Sequence, residues 1–595
     1  MPEQHPPPFF TRTGIAVITN CVVDSKPPFS VLYGMIPQVV LHHAAANHWL
    51  AFENPLEVVT TASIDEVLPL LRRLENRASQ DHLWAAGFVS YEASPAFDQS
   101  LAAHSDGAFP KLWFGLYQEP RVVDSFDNAN GQPQFTLDWQ PTIVREQYCQ
   151  AIKRIRELIA LGDTYQVNFT TRLRAKILAE FDALSYFQTL TCGQHANYAA
   201  FLDIGDFAIC SASPELFFNH ENDRIETRPM KGTVRRGRTS NEDAQLSQWL
   251  FNSEKNRAEN VMIVDMMRND LGKIAHIGSV KAPRLFRLER YPTVWQMVSD
   301  VTADTNASFS GILSALFPPA SVTGAPKPRT VQIISELESA PRRIYTGTIG
   351  FVAPNRRAQF SVAIRTVLID KKKGVAEYGV GGGIVWDSQV DEEYHECLTK
   401  AQVLAQRPPE FSLLETMRWS PVTGCFLLEK HLKRLADSAD YFDFSISLDD
   451  IRSQLENLAA SLAGDQRVRL LVSKSGTVTL ERQSLSATET PSPLRLRLAR
   501  HPVDSGDAFL YHKTTYRRVY EDARSQFQDC DDVILWNRSN EITETCLHNI
   551  VIRKPNGSLI TPPIRSGLLA GTYRELLLEQ GAICEEVIAL EYLKS

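Results

Sequence analysis

The segment RPMKGTVRRGR, residues 228–238, combines a lysine with groups that could make it reactive. Lys231 lies between a proline and a Gly-Thr step, which favours a constrained loop. Arg235, Arg236 and Arg238 follow closely, and neighbouring positive charges favour a neutral, nucleophilic amine. A solvated basic turn is the commoner explanation of such a segment. The segment alone therefore leaves both interpretations open.

Carboxylates at helical spacing are the second chemical feature. Glu393, Glu396 and Lys400 are spaced i, i+3 and i+7, so they project from one face of a predicted helix. Three glycines, residues 381–383, precede that helix, and Glu259 belongs to a different predicted helix. An ordinary surface helix with a Glu–Lys pair would have the same pattern. Glutamates converging from two helices would instead form the oxygen site that Mg²⁺ prefers, completed by an anion of the substrate.

A second lysine and a glycine-rich turn occur near the end of the chain. Lys513 lies in YHKTTYRRVY, and GLLAGT, residues 567–572, precedes a predicted helix in TYRELLLEQ. By itself Lys513 is one lysine among many that are exposed. A glycine-rich turn at a helix N-terminus, however, presents backbone N–H groups to a phosphate. The turn therefore predicts a phosphate site.

Length and composition limit the class of protein. A chain of 595 residues is expected to form two or more domains, and its 43% hydrophobic and 22% charged residues are typical of a soluble globular protein. A net charge of -8 argues against nucleic-acid binding. Nine cysteines without CxxC pairs predict reduced thiols in the cytoplasm. Neither a secretory signal nor an apolar run of about 18 residues is evident, so we expect no membrane association.

Strands and helices alternate around these residues. We predict strands in GIAVITNCVV, AAGFVSYEA and KLWFGLYQ, a helix in SIDEVLPLLRRLENRA with Ser63 as N-cap, and a loop in SFDNANGQPQ. A helix closed by Gly162 and a strand from about Tyr165 follow, and FAICSASPELFF is predicted as one strand. The helix SEKNRAENVMIVDMMRNDLGKIA has a predicted stripe of Val261, Val264, Met267 or Arg268, and Leu271. Gly381–Gly383 are predicted as a loop, and the double proline of residues 406–411 as a linker.

Seven motifs give the first part of the chain a resemblance to a known family. They are GDTYQVN, SASPELF, RPMKGT, RAENVMIVDMMRNDLG, SVTGAPKPR, YTGTIG and GGGIVWDSQVDEEYHECLTKA, in family order from about Gly162 to Ala401. The family is that of the chorismate-utilising enzymes, which includes anthranilate synthase component I, aminodeoxychorismate synthase component I, and the isochorismate and salicylate synthases. The resemblance implies an α/β sandwich, with residues 1–140 as an N-terminal subdomain and 141–405 as the chorismate-binding catalytic domain.

The resemblance also implies roles for individual residues. Glu259 and Glu396, helped by Glu393, would bind Mg²⁺ and through it the ring carboxylate of chorismate. Glu215 matches the general acid that protonates the departing 4-hydroxyl group. The residues implied to contact the substrate, mainly its enolpyruvyl carboxylate, are Thr323, Tyr345, Arg365, Gly381, Gly382, Gly383 and Lys400.

Lys231 indicates a branch of the family. Anthranilate synthases carry alanine in a PIAGT-like motif, and ammonia attacks C2 directly. In the PIKGT-like motif of aminodeoxychorismate synthases the lysine attacks C2 and ammonia enters at C4, and here the motif is PMKGT. Gln166 matches the general-base lysine of the isochorismate and salicylate synthases, and Gln296 matches a position that is commonly histidine. The chain thus resembles the aminodeoxychorismate synthases, with an anthranilate synthase-like enzyme as the alternative.

Residues 412–595 resemble the fold-type IV pyridoxal phosphate enzymes, which include D-amino-acid and branched-chain aminotransferases and aminodeoxychorismate lyase. The motifs are LLETMRW, LEKHLKRLADSADYF, YHKTTYRRVY, NEITETCLHNI and TPPIRSGLLAGTYREL. The resemblance implies a smaller α+β domain in which Lys513 holds the cofactor and transfers protons, and Glu544 pairs with the pyridine nitrogen. Thr416 would assist pyruvate release. The residues implied to bind the cofactor phosphate are Arg434, Gly571 and Thr572.

The two resemblances together imply a bifunctional cytoplasmic transferase and lyase. It would make 4-aminobenzoate, a folate precursor, from chorismate and ammonia, because the lyase consumes the product of the synthase. We expect a separate glutamine amidotransferase subunit to supply the ammonia. Relatives continue beyond VIALEYLKS with an ADE-x-F-x-TNS-like loop, so we expect the lyase domain to be C-terminally truncated.

Overall fold

A computed structural model of the chain describes residues 38–104, 106–124, 137–178, 180–192, 194, 196–404, 409–485 and 493–593. Among these residues, a larger unit comprises residues 38–235 and 247–404, and a smaller unit comprises residues 236–246 and 409–593. The predicted strand GIAVITNCVV, the predicted loop SFDNANGQPQ and the first half of the predicted linker, residues 406–408, lie outside the described residues.

The larger unit is built on two antiparallel sheets. Its strands are β1 Val39–His43, β2 His48–Phe52, β3 Glu57–Thr61, β4 Trp84–Val89, β5 Leu112–Tyr117, β6 Arg121–Val123, β7 Gln140–Pro141, β8 Gln166–Lys176, β9 Tyr198–Asp203, β10 Phe207–Ser213, β11 Leu216–Glu221, β12 Arg224–Arg228, β13 Met230–Arg235, β14 Lys281–Arg290, β15 Val294–Asp304, β16 Gly324–Ala325, β17 Thr348–Ala353, β18 Arg357–Val362, β19 Thr366–Asp370 and β20 Val375–Ile384. The first sheet has the order β16-β8-β20-β19-β10-β9-β1-β2-β6, with β7 beside β8. The second has the order β13-β15-β12-β11-β18-β17-β4-β5-β3, with β14 beside β15.

Helices cover the outer face of each sheet. The helices between residues 64 and 401 are α1 Ile64–Gln80, α2 Ser94–Phe97, α3 Arg145–Ala160, α4 Ala183–Thr191, α5 Ser240–Asn252, α6 Glu254–Gly272, α7 Phe309–Leu316, α8 Lys327–Leu337 and α9 Val390–Ala401, of which α5 begins in residues of the smaller unit. Helices α3, α4, α8 and α9 pack on the first sheet, and α1, α6 and α7 pack on the second. Apolar side chains such as Phe52, Phe88 and Ile209 fill the space between the sheets. The result is a helix–sheet–sheet–helix sandwich, because both faces of each sheet must be buried.

Several predicted elements are present at the expected places. Helix α1 has Ser63 at its N-cap position, although the serine side chain makes no capping hydrogen bond. Helix α3 is followed by Gly162 with a φ of +81°, a left-handed conformation that glycine adopts without strain, and β8 begins directly afterwards.

Two corrections concern the strands that carry site residues. FAICSASPELFF is not one strand, because β10 ends at Ser213 in the first sheet and β11 begins at Leu216 in the second. Pro214 cannot donate to a strand ladder, which favours the break, and Glu215 therefore lies where the chain crosses between sheets. Lys231 lies in β13, a strand with an irregular register, and not in a loop.

Two further corrections concern the glycine run and helix α6. Gly381–Gly383 belong to β20 and pair in register with β8, so the predicted glycine loop is wrong. In α6 the buried apolar side chains include Ile263, Val264 and Met267, whereas Val261 is 39% exposed. The predicted stripe was wrong at Val261, because the buried face of the helix runs instead through Asn260 and Ile263.

The smaller unit contains shorter sheets and helices. Its strands are β21 Leu413–Ser420, β22 Gly424–Cys425, β23 Gln466–Val472, β24 Val478–Ser484, β25 Leu496–Leu498, β26 Asp532–Trp536, β27 Ile542–Thr545, β28 Ile552–Arg553, β29 Leu559–Thr561 and β30 Cys584–Glu585. Its helices are α10 Leu428–Phe442, α11 Leu448–Ala459, α12 Arg518–Ser525 and α13 Thr572–Glu579. The sheets are β22-β21-β23-β24, β25-β26-β27 and β28-β29-β30. Across the described parts of the chain, no helix has the length and apolar character needed to cross a membrane.

Candidate active site

A cavity of about 520 Å³ in the larger unit collects most of the residues predicted for the first site. This volume lies in the range of small-molecule sites. The predicted residues that line the cavity are Glu215, Lys231, Glu259, Tyr345, Arg365, Gly381, Gly382, Gly383, Glu393, Glu396 and Lys400. They come from both sheets and from helices α6 and α9, so the fold brings together residues far apart in sequence.

Glu215 is a buried carboxylic acid on the cavity wall. Its side chain is 4% exposed, and burial raises its pKa to about 7, although a hydrogen bond from Ser321 and the charge of Lys231 oppose the shift. A carboxyl group that keeps its proton near neutral pH can protonate a leaving group. Ser321, which also lines the cavity, was not identified from the sequence.

The amine of Lys231 lies against the backbone of Gly383. A Cβ atom at Gly383 would lie 2.6 Å from Lys231 Nζ and 2.9 Å from Gln166 Nε2. Glycine is therefore needed at this position, because any side chain would occupy the place of the amine. The side chain of Gln166 is fully buried, and neither its Oε1 nor its Nε2 has a hydrogen-bond partner among the described residues.

The three glutamates are paired with, or lie close to, lysines. Glu259 Oε2 lies 3.5 Å from Lys231 Nζ, and Glu396 Oε1 lies 2.7 Å from Lys400 Nζ. Burial would raise the pKa of Glu396, but the ammonium of Lys400 outweighs it and the pKa is lowered. Burial and the neighbouring carboxylate of Glu396 raise the pKa of Glu393, which shows that its negative charge is poorly compensated.

These residues fit a hard cation. Glu393 Oε2 and Glu396 Oε1 lie 3.2 and 3.7 Å from the point that a Cβ atom on Gly382 would occupy, so both reach over the same backbone. Carboxylate oxygens at an open cavity suit Mg²⁺, which retains waters and binds substrate anions. In the described part of the chain, no three His, Cys, Asp or Glu side chains are close enough to form a metal site by themselves. The available donors therefore favour a cation that is held by fewer than three protein side chains together with a carboxylate of the substrate.

Of the side chains predicted to bind the enolpyruvyl carboxylate, Arg365 and Tyr345 line the cavity and Thr323 does not. Arg365 lines the cavity, and its guanidinium lies 5.7 Å from the ring centroid of Tyr291. Tyr345 also lines it, and its ring contacts the backbone of Gly379 so closely that a Cβ atom there would lie 2.2 Å away. Thr323 does not line the cavity, because it is fully buried and its hydroxyl donates to the carbonyl of Pro319 at 3.2 Å.

The glycines of β20 present one edge to the cavity. Strand β19 pairs with β20 only as far as Tyr378, whereas β8 continues through Gly381–Gly383. Among the described strands, the other edge of the glycine run therefore has no ladder partner. Lys400 Nζ donates to the Gly381 carbonyl at 2.9 Å, which ties this edge to α9. Free backbone groups at such an edge can bind a carboxylate.

Two of the arginines that follow Lys231 belong to the smaller unit. Arg236 Nε donates to Asp243 Oδ1 at 2.8 Å, and its guanidinium lies 4.5 Å from the ring centroid of Tyr441. Arg238 Nε donates to Glu242 Oε2 at 2.8 Å. The charges of Arg236 and Arg238 are compensated within that unit, so these two arginines do not form an exposed basic turn. Arg235 is exposed at the end of β13.

The smaller unit has a second group of titratable residues around Lys513. Burial lowers the pKa of Lys513 to about 8, and the charge of Arg434 adds to this effect. Glu544 is 4% exposed, and burial raises its pKa to about 7. Tyr520 Oη and the backbone N–H of Leu569 donate to Glu544 Oε1 at 2.8 and 3.2 Å. A lysine with a lowered pKa and a fixed carboxyl group are suitable for proton transfer.

Arg434 is held by Glu415, a residue that sequence reasoning missed. Arg434 Nη2 donates to Glu415 Oε2 at 2.6 Å, and Arg434 Nη1 donates to the Ala570 carbonyl at 2.8 Å. His431 Nδ1 lies 2.6 Å from Glu415 Oε2, and its Nε2 lies 3.3 Å from Thr572 Oγ1. One carboxylate thus connects Arg434 and, through His431, Thr572 at the beginning of α13.

The smaller-unit residues fit pyridoxal phosphate. Gly571 and Thr572 form the N-terminus of α13, where backbone N–H groups favour a phosphate. Arg434 and Glu544 each lie within electrostatic range of Lys513, as the cofactor would need. Thr416 follows Glu415 on β21, and because adjacent residues of a strand face opposite sides, its side chain lies on the other face of the strand from Glu415.

Comparison with known proteins assigns both units. Residues 36–406 match the family model described as chorismate binding enzyme, and residues 412–594 match that of amino-transferase class IV. The chain therefore belongs to the chorismate-binding enzyme family and carries a class IV aminotransferase-like unit, as the sequence predicted.

Relatives and solved structures agree with this assignment. Aminodeoxychorismate synthase component 1 of Escherichia coli (strain K12) is 36% identical over 375 residues, which is 57% of this chain and 82% of the relative. Anthranilate synthase component 1 1 of Haloarcula marismortui is 40% identical over 376 residues, 55% of this chain and 76% of the relative. Anthranilate synthase component I from Streptococcus pneumoniae TIGR4 matches in structure with a TM-score of 0.54 at 24% identity, covering 64% of this chain and 96% of that one. That structure supports the sandwich fold.

Proposed function

We propose that the larger unit converts chorismate and ammonia into 4-amino-4-deoxychorismate. The observation that carries the proposal is the presence in one cavity of Lys231 and of Glu215, whose pKa burial raises to about 7, with three further glutamates on its wall. Relatives named aminodeoxychorismate synthase component 1 support this choice of product.

Lys231 is proposed to form a bond to the substrate, and Glu215 is proposed to assist the bond that breaks. The amine of Lys231, which must first lose its proton, adds to C2 of chorismate, the ring double bonds shift, and the C4–O bond breaks. Glu215 gives its proton to that oxygen, so water and not hydroxide departs. Ammonia then adds at C4, the double bonds shift back, and Lys231 leaves C2 as the amine. The balance is chorismate plus ammonia giving aminodeoxychorismate plus water.

The remaining cavity residues hold the substrate. Glu259 and Glu396, helped by Glu393, would bind Mg²⁺, which when bound supplies positive charge for the ring carboxylate. Arg365, Tyr345 and Lys400 would bind the enolpyruvyl carboxylate together with the backbone of Gly381–Gly383. Because Glu259 Oε2 lies 3.5 Å from Lys231 Nζ, a cation bound at Glu259 would compete with that lysine for the carboxylate.

Ammonia is proposed to come from a separate glutamine amidotransferase subunit. The relatives are named as component 1, which supports a second component. We expect the chain alone to use ammonium, and to use glutamine once an amidotransferase subunit is added. Full glutamine-dependent activity of the purified chain would contradict the proposal.

The smaller unit is proposed to remove pyruvate from aminodeoxychorismate and so release 4-aminobenzoate. Pyridoxal phosphate when bound supplies an electron sink for this elimination. Lys513 would hold it and move the proton, Glu544 would keep the ring nitrogen protonated, and Thr416 would assist pyruvate release. Arg434, Gly571 and Thr572 would bind the phosphate. Pyridoxal phosphate binding, followed by absorption in wild type and Lys513→Ala, tests the unit without any activity measurement.

The deciding experiment measures products from chorismate and ammonium. Wild type is expected to give aminodeoxychorismate, whereas Lys231→Ala is expected to lose it and to give anthranilate, because ammonia must then attack C2 itself. Lys255→Ala is the matched control, since Lys255 is a second lysine on the cavity wall, and its main product is expected to stay aminodeoxychorismate. Unchanged output from Lys231→Ala would exclude the covalent role.

An anthranilate synthase-like activity is the second candidate. The relative from Haloarcula marismortui favours it, because that protein is named anthranilate synthase component 1 1. The same assay separates the two functions, since this candidate requires anthranilate as the main product of the wild type.

A further inference from the structure

The strand that carries Lys231 contains a β-bulge at the lysine. In the pairing of β13 with β15, Met230 is opposite Val298 and Thr233 is opposite Gln296. Lys231 and Gly232 therefore share the single position opposite Met297. A bulge of this kind adds one residue to a strand, changes the direction of a side chain and leaves backbone groups outside the ladder. Gly232 accommodates it with a φ of +100°.

Two side-chain amides bind the carbonyl groups of the bulge. Asn260 Nδ2 donates to the Lys231 carbonyl at 3.1 Å, and Gln296 Nε2 donates to the Gly232 carbonyl at 2.9 Å. Gln296 also accepts a hydrogen bond from Thr233 Oγ1 at 2.8 Å, so both ends of its amide are used. The two amides come from β15, which pairs with β13, and from α6, which packs against β13.

Both amides are buried, which makes their contacts specific. Gln296 is 9% exposed and Asn260 is 1% exposed. Ser299 Oγ donates to Asn260 Oδ1 at 2.5 Å, which fixes the orientation of that amide. A buried carbonyl that loses its donor is costly, so the bulge has one preferred geometry while both amides are present.

We propose that Gln296 is a positioning residue that fixes the bulge and thereby aims the amine of Lys231 at the substrate. The proposal rests on the proposed function in one respect, namely that Lys231 is the nucleophile. A nucleophile must be held close to its attack geometry, and a lysine side chain has four freely rotating bonds. The bulge sets the direction of the first of these bonds, Cα–Cβ. At the other end of the side chain, the amine lies against Gly383.

Gln296→Met tests the proposal because methionine has a similar shape but makes neither hydrogen bond. We expect kcat for aminodeoxychorismate to fall by about tenfold or more while KM for chorismate stays within about threefold, since methionine keeps the size of Gln296 on the cavity wall and leaves the proposed carboxylate-binding residues unchanged. We also expect a rising share of anthranilate, because ammonia reaches C2 when the lysine is misplaced. A merely structural role would lower both products together.

Thr233→Val is the matched variant, because it removes only the hydroxyl that donates to Gln296 and keeps the bond to Gly232. We expect it to retain kcat within about threefold of wild type. An equal loss in Thr233→Val and Gln296→Met would overturn the assignment to the Gly232 bond.

The double variant Lys231→Ala, Gln296→Met separates this proposal from the proposed function. If Gln296 acts through Lys231, the second substitution changes the anthranilate rate of Lys231→Ala by less than about twofold. An equal loss in both backgrounds overturns the positioning role, and so does a wild-type kcat and product ratio in Gln296→Met. Aminodeoxychorismate from Lys231→Ala at the wild-type rate instead overturns the proposed function.

Folding is checked by the melting temperature of each variant. If Gln296→Met does not fold, Gln296→Glu serves in its place, since it has the same size and keeps an acceptor for Thr233 but has no N–H donor when ionised. Loss of folding in both variants would show that Gln296 is a structural residue and would overturn the proposal.

Discussion

At the scale of single residues, the environment of a side chain decides its chemistry more than its type does. Glu215 and Glu396 line the same cavity, yet burial raises the pKa of Glu215 to about 7, whereas the ammonium of Lys400 outweighs burial and lowers the pKa of Glu396. One carboxyl group can therefore give a proton while the other can bind a cation.

Glu215 gives the first prediction at this scale, which is a fall in kcat/KM above about pH 7. The protonated form is the active one, so activity is lost as the pH rises through the pKa. The measurement uses chorismate with the concentration of neutral ammonia held constant. Glu215→Gln should be slower by about 10²–10⁴-fold.

Ser321→Ala is the sharper variant for the same residue. The hydrogen bond from Ser321 lowers the pKa of Glu215, so its removal should move the fall in kcat/KM to higher pH. A fall at the same pH in Ser321→Ala, or a Glu215→Gln enzyme as fast as wild type, would show that another group is the acid.

Gly383→Ala is the second prediction at this scale. The added methyl would lie 2.6 Å from Lys231 Nζ and 2.9 Å from Gln166 Nε2, both of which are ends of flexible side chains. These ends can move, so the folding cost should be small, whereas the displaced amine should lower aminodeoxychorismate formation about tenfold or more. Gly272→Ala, where nothing lies within 4 Å of the added atom, is the control for both activity and melting temperature. A fully active Gly383→Ala enzyme would contradict the placement of the amine.

At the scale of elements, the sequence predicted most helices and strands but not how strands are divided between the sheets. Helix α3, with Gly162 after it, follows from local periodicity and a left-handed glycine. The crossing at Pro214 and Glu215 depends on two sheets that pair residues far apart, and no local pattern reports that. The glycines 381–383 look like a loop because they lack side chains, yet the register with β8 holds them in a strand.

The candidate site, like the fold, could be predicted only in part from the sequence. Motif resemblance located the glutamates, Glu215 and Lys231 in one cavity, because these residues carry the chemistry of the family. It did not identify Gln296 as a partner of the bulge, or Glu415 as the partner of Arg434, because those contacts depend on tertiary structure. Thr323 was expected in the cavity, but its hydroxyl is used by the local turn.

Helix α6 gives a prediction at the element scale, because its buried face was assigned wrongly at one position. Val264 is 3% exposed and Val261 is 39% exposed. Val264→Ala should reduce the free energy of unfolding by about 2 kcal/mol, since two buried methyl groups are lost. Val261→Ala should change it by less than about 0.5 kcal/mol, because alanine also has the higher helix propensity. Denaturation midpoints of the two variants compare the faces directly, and an equal loss in both would restore the original stripe.

At the scale of the whole molecule, buried carboxylic acids couple stability to pH. Glu92 and Glu215 in the larger unit and Glu544 in the smaller unit each have a pKa raised to about 7, with burial as the main cause. A raised pKa means that the folded state binds the proton more tightly than the unfolded state. The contribution of such a group is fully present below its ordinary pKa and is lost as the pH rises through about 7.

Glu92 isolates this effect because it lies outside both candidate sites. It is 3% exposed and accepts a hydrogen bond from the backbone N–H of Arg342 at 2.6 Å, a bond that glutamine can keep. Between about pH 5 and pH 8, wild type should lose about 2–3 kcal/mol more stability than Glu92→Gln, because only the wild type must ionise a buried carboxyl group. Urea midpoints of wild type and Glu92→Gln at several pH values measure this difference in stability. The buried histidines are the same in both proteins, so their opposite effect on the pH dependence cancels. Glu146→Gln, at an exposed position of α3, should follow wild type. Parallel curves for wild type and Glu92→Gln would mean that the Glu92 carboxyl group is already ionised in the folded protein at neutral pH.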